Sequence, residues 1–182
     1  MINDPYARVP QAPAFRITSE DVRDGDAMAR RNASESARGE NVSPQLSWYG
    51  FPPETRSFVV TMYDADAPTP SGFWHWAVAD IPGDVRELPA GAGAAGDGGL
   101  PGGAYHLRND AGVAGYLGPA PPEGHGPHHY YIAVHAIDAD SLGLDPAATP
   151  AYLSFMLLGH TLARAVIVPW FEAEETAVTR AA

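Results

Sequence analysis

The chain has 182 residues and a mass of 19.3 kDa, a size for one domain around a single core. It is 45% hydrophobic with four Trp, eight Tyr and six Phe, which excludes wholesale disorder, while 19 glycines and 18 prolines argue against a helical bundle and for short strands with many turns. The formal charge of −11 opposes non-specific binding to nucleic acid or anionic membranes; all 11 basic residues are Arg, which excludes Schiff-base chemistry and a P-loop lysine, and the lack of Cys removes disulfides and thiolate sites.

Residues 1–13 hold Asp4, three prolines and no apolar stretch, so they read as an extended lead-in and not as a secretory signal. A cytoplasmic location is the resulting expectation. Residues 15–18 form a candidate first strand, and the polar stretch 21–42 reads mainly as loop. Residues 57–63 and 73–79, rich in β-branched and aromatic side chains, are predicted strands. The segment between them contains Pro68, Pro70 and Gly72 and cannot continue a ladder, so Asp64, Asp66 and His75 meet near one strand-loop-strand corner. Residues 130–137 are a third strand. Thr149 and Pro150 mark a helix start, and apolar residues from Tyr152 to Val166 at helical spacing predict a helix ending at Pro169. His160 and Arg164 inside it argue for a docked core helix and against a membrane span. Residues 172–182 read as a flexible tail. Strands followed by a late helix, without a βα rhythm, give a mostly β, α+β domain over residues 1–182.

Two motifs are set aside. Gly91, Gly93 and Gly96 match a dinucleotide fingerprint with Asp110 downstream, but no strand precedes and no helix follows, so the segment reads as a flexible loop. Asn32 and Asn41 match glycosylation acceptors and read as chance.

The chemistry concentrates in residues 124–130, where His125, His128 and His129 follow Pro121 and Pro122. One reading is a metal site formed by His75, His128, Asp64 and Asp66, although no helical His spacing or thiolate supports it. A plainer one leaves His125 and His129 exposed in a loop, with His128 capping the strand that follows. The third is a small anion pocket made of imidazoles and the amides of a glycine-rich turn. There a neighbouring Asp orients a histidine ring and favours its charged form, and Asp64 or Asp66 can alternatively receive an ammonium group. If the pocket residues meet in a partly hydrated site, the carboxylate is expected to outweigh burial, giving a raised histidine pKa. Trp74, Trp76 and Tyr130 offer aromatic faces for a cation. Strand alternation puts Trp74 and Trp76 on the face opposite His75.

These residues resemble a family. Residues 43–48, Asp64 to Pro68, Trp74-His75-Trp76, Asn109-Asp110 through Gly118, and Pro121-Pro122 through Tyr130 resemble, in order and spacing, the phosphatidylethanolamine-binding proteins, and within them the bacterial Raf-kinase-inhibitor-like branch. The resemblance implies a Greek-key antiparallel β-fold with a second small sheet and peripheral helices, and a shallow surface pocket for phosphate-like anions. By that likeness the ligand-binding residues are Asp64, Asp66, Pro68, His75, Gly118, Pro122, His128 and Tyr130, to which Trp74 is added for its aromatic face, with no catalytic residue, metal or cofactor. Ala65, Ala120 and His129 depart from the family's usual proline, glycine and arginine. The implied function is non-enzymatic binding of a phosphate-like anion or phospholipid headgroup by a homodimer, with a kinase or protease as regulated target and no nucleic-acid partner. The competing class is a metal-assisted or acid-base hydrolase using the same Asp and His residues.

Overall fold

The strands follow the β-branched and aromatic runs. The structure is a computed structural model that describes residues 4–174. In chain order it contains β1 (Arg16–Thr18), β2 (Leu46–Tyr49), β3 (Ser57–Asp64), β4 (Phe73–Pro82), β5 (Glu87–Leu88), β6 (Tyr105–His106), β7 (His128–Ile137), α1 (Pro150–His160), β8 (Thr161–Ile167) and β9 (Trp170–Phe171). A small antiparallel sheet has the order β1-β2-β5, and a large one the order β6-β4-β3-β7-β8, with β9 on the first residues of β7. The mostly β fold with a second small sheet and a C-terminal helix is as expected from the sequence.

Alternation along β3 creates two cores. Phe58, Val60 and Met62 face the small sheet, where they join Leu46, Trp48 and Leu88 in one buried cluster; the Trp48 and Phe58 rings meet edge to face at 5.4 Å. Val59 points the other way, and with Ala77 and Ile137 it packs under Leu153 and Leu157 of α1. Burying side chains of this size contributes about 1.5–3 kcal/mol each, so the two layers fix the strands whose ends carry the site.

Two expectations are corrected here. The helix stops at His160, and residues 161–167 form β8 instead of two further turns. Thr161 caps the helix through Oγ1 to the Leu157 carbonyl, and Ala163, Ala165 and Ile167 are then buried at a spacing of two against β7. The free ladder edge of β7 decides the conformation, overriding an apolar pattern that fits both periods. The lead-in is not wholly extended either: Pro5–Arg8 is a 3-10 turn, with Asp4 accepting from the Tyr6 amide at 2.8 Å. The expected loop at residues 91–96 contains turns with no strand or helix. Of the expected tail, residues 175–182 lie outside the described residues.

Tyr6 packs edge to face on Tyr131 and His135, on the large-sheet face opposite the main core. His135 accepts from Arg164 Nε at 3.4 Å. Burial first, and the Arg164 charge second, push its pKa down to about 3. A histidine held neutral in this way binds fewer protons folded than unfolded. Its contribution is therefore complete above the ordinary value of about 6.5 and is lost as pH falls toward the folded value. At pH 5 the expected loss from His135 is about 2 kcal/mol. Urea midpoints should fall between pH 7 and pH 5, and less steeply in His135→Gln; equal midpoints at both pH values in the wild type would contradict this.

Candidate functional site

The site lies where β3 ends, β4 begins and β7 begins. Asp64, the last residue of β3, pairs in register with Phe73 of β4 and Tyr130 of β7. Its carboxylate is 5% exposed, and Oδ2 accepts from Nδ1 of His128 at 2.7 Å; that ring is 3% exposed. Oδ1 accepts the Asp66 amide at 2.8 Å, which turns the chain into the β3–β4 loop. Asp66 then accepts from both the backbone and the ring Nδ1 of His129, at 2.9 and 2.7 Å. Each carboxylate thus serves its own histidine. The loop closes at Gly72, whose φ of +65° is a left-handed conformation and whose missing Cβ leaves room for the Tyr63 hydroxyl.

His75 enters by a bulge. Met62 is opposite Trp76 and Tyr63 is opposite Trp74, so His75 is the extra residue of β4. The expected alternation is broken there: Trp76 joins Met62 and Tyr130 in the main core, and His75 also meets the Tyr130 ring, at 5.2 Å. Trp74 packs against Tyr63 instead, with ring centroids 4.6 Å apart and the planes tilted by 48°. His75 Nδ1 donates to the Leu117 carbonyl at 2.7 Å. Burial is the largest influence on this ring and pushes its pKa down, outweighing the Leu117 bond and Asp64. The expectation that a carboxylate prevails over burial fails at His75. The ring is neutral near neutral pH, and with its proton on Nδ1 it presents Nε2 as an acceptor.

Around these rings lies a cavity of 270 Å³. Of the residues expected from the sequence, Asp64, Pro68, His75, Gly118, Pro122, His128 and Tyr130 line it; Asp66 and Trp74 do not. Asp66 acts one step back, through His129. His125 is exposed, with its ring 5.9 Å from that of His128. Burial raises the Tyr130 pKa, so its phenol stays protonated; the hydroxyl is buried with no hydrogen-bond partner among the described residues.

Ser34 and Ser36 also line the cavity and were not found from the sequence. Ser34 caps the 3-10 turn Glu35–Ala37, and the two hydroxyls lie 3.0 Å apart. Gly118 presses directly on this segment: a Cβ there would stand 2.3 Å from the Asn32 carbonyl oxygen. The asparagines read as chance glycosylation matches hold the same junction. Asn32 donates to the Val42 carbonyl at 2.9 Å, and Asn41 accepts from the Gly118 amide at 2.7 Å. Glycine at 118 beside two asparagines upstream was the available signal.

Comparison with known proteins places the chain in a family. The family model described as phosphatidylethanolamine-binding protein matches residues 18–172. The chain belongs to the phosphatidylethanolamine-binding protein family. Its relatives in that family include two Escherichia coli K12 proteins. UPF0098 protein YbcL is 42% identical over 164 residues, 89% of this chain and 90% of YbcL; UPF0098 protein YbhB is 43% identical over 159 residues, 86% of this chain and 99% of YbhB. The crystal structure of E. coli YbcL superposes with a TM-score of 0.85 at 40% identity, covering 88% of this chain and 99% of that one. The phosphatidylethanolamine-binding fold thus frames the pocket, and no helix among the described residues is long and apolar enough to cross a membrane.

Removing one partner of a buried, hydrogen-bonded pair leaves the other uncompensated, at a cost of about 3–5 kcal/mol. Asp64→Ala and His128→Ala should each lower the unfolding free energy by roughly that amount, and the double variant by much less than the sum. Additive losses in urea titrations would mean that carboxylate and ring do not interact.

Proposed function

We propose that the chain is a non-enzymatic binding protein whose pocket takes a phosphate-like anion of the phosphorylethanolamine type. The carrying observation is that both pocket imidazoles spend Nδ1 on the protein, His128 on Asp64 and His75 on the Leu117 carbonyl, which leaves Nε2 of each ring for a ligand. Neutral His75 offers an acceptor. His128 offers an acceptor when neutral and a donor when protonated. A phosphoryl group that retains one proton, or a headgroup with an ammonium, satisfies His75, while the bonded Ser34–Ser36 pair keeps one hydroxyl hydrogen to donate to its oxygens. The volume suits a headgroup and not a whole lipid.

Binding is favoured over hydrolysis because the two serines lining the cavity bond to each other, and neither hydroxyl is hydrogen-bonded to a histidine ring. Asp64 and Asp66 each serve a different imidazole, which leaves no shared point for the four-ligand metal reading. Homodimerisation, a cytoplasmic location and a kinase or protease target complete the proposal. The first is supported by α1, which exposes Tyr152, Phe155 and Leu158 on its outer face.

Calorimetric titration with phosphorylethanolamine tests the reading. His75→Ala and His128→Ala should each weaken binding about ten- to hundredfold, the loss of one hydrogen bond of about 1.5–3 kcal/mol. Unchanged curves in both folded variants would remove the pocket assignment. Release of inorganic phosphate that depends on His128 would favour the hydrolase.

A further inference from the structure

Beside the pocket runs a wider groove of 500 Å³, and the two share Ser36, Ala120 and Pro121 as a common wall. Arg30 and Arg38 supply its cationic groups among the described residues. They stand at either end of the segment that builds the pocket wall: Arg30 opens the 3-10 turn Arg30–Asn32, and Arg38 closes Glu35–Ala37 with φ at 60°. The turn that brings Ser36 to the pocket therefore brings Arg38 to the groove. Glu174, beyond β9, places its carboxylate on Arg30 in an ion pair. Its pKa is lowered chiefly by the bond to Arg30, and Arg38 adds to the effect from nearby. Three carboxylates, Glu123, Glu172 and Glu174, line the groove beside the two guanidiniums, and Glu174 shows that Arg30 accepts an anion from within it.

We propose that this groove is a second anion subsite, so that the ligand is a phosphoryl compound bearing a further carboxylate or phosphoryl group, which displaces Glu174 from Arg30. The inference rests on the pocket reading above. The phosphoryl group sits at His75 and His128, a short linker crosses Ala120 and Pro121, and the second anion meets Arg30 and Arg38. Guanidinium forks suit both carboxylate and phosphoryl oxygens. Free metabolites and lipid headgroups share this chemistry.

A chain-length series of ω-phosphonocarboxylates, each paired with the alkylphosphonate of equal length, separates the two claims. The alkylphosphonates report the pocket alone. If they fail to bind the wild-type protein, the pocket reading falls and this inference with it. If they bind, one phosphonocarboxylate length should bind about tenfold more tightly than its partner, with a gain that shrinks as salt rises. Arg30→Gln/Arg38→Gln should abolish the gain without changing alkylphosphonate affinity, and Glu174→Gln should enlarge it. No gain at any length, or a gain that survives the double substitution, overturns the subsite. O-phosphoserine and phosphatidylserine-containing vesicles, compared in the same variants, distinguish a free from a lipid-borne source.

Discussion

The bond between Asp64 and His128 is the constraint on which the rest of the site depends. It joins the last residue of β3 to the first of β7 in a place nearly closed to water, where a lone carboxylate would be strongly disfavoured. Because Oδ2 is committed to the ring, Oδ1 is left to cap Asp66, and Asp66 is left to hold His129. Two carboxylates thereby set the path of the β3–β4 loop and the start of β7 together. Pro68 reaches the cavity from that loop, and β9 adds a short ladder on His128 and His129.

The opposite wall is shaped by close approach and not by charge. Gly118 has the Asn32–Ser34 backbone against the position a side chain would fill, and Asn41 holds its amide. The His75 bulge completes the enclosure by turning a ring that would alternate away toward Tyr130. Burial is then decisive for the chemistry. It keeps His75 neutral despite Asp64 nearby, so this pocket, in an acidic chain without lysine, presents placed hydrogen-bonding groups more than fixed positive charge.

Much of this was legible in the sequence because it rests on local patterns. The β3 and β4 runs are β-branched and aromatic, the loop between them is marked by proline and glycine, and the clustered histidines announce a polar site at the start of β7. What escaped depends on contacts between distant segments. Residues 161–167 fit helix or strand equally well until β7 offers its edge. Strand alternation misassigned Trp76 because one inserted residue reverses the parity. Ser34 and Ser36 lie in a stretch without periodicity, and the bond from His129 to Asp66 joins residues 63 positions apart.

The tautomers of the pocket imidazoles test the central claim most directly. Long-range ¹H–¹⁵N spectra of the free protein near pH 7.5 should show His75 neutral with its proton on Nδ1 and His128 with a hydrogen-bonded Nδ1 proton. Adding methylphosphonate should shift the Nε2 resonances of both rings and leave those of His106 and His135 in place. A His75 ring protonated on Nε2, or Nε2 signals that ignore the ligand at saturation, would contradict the account.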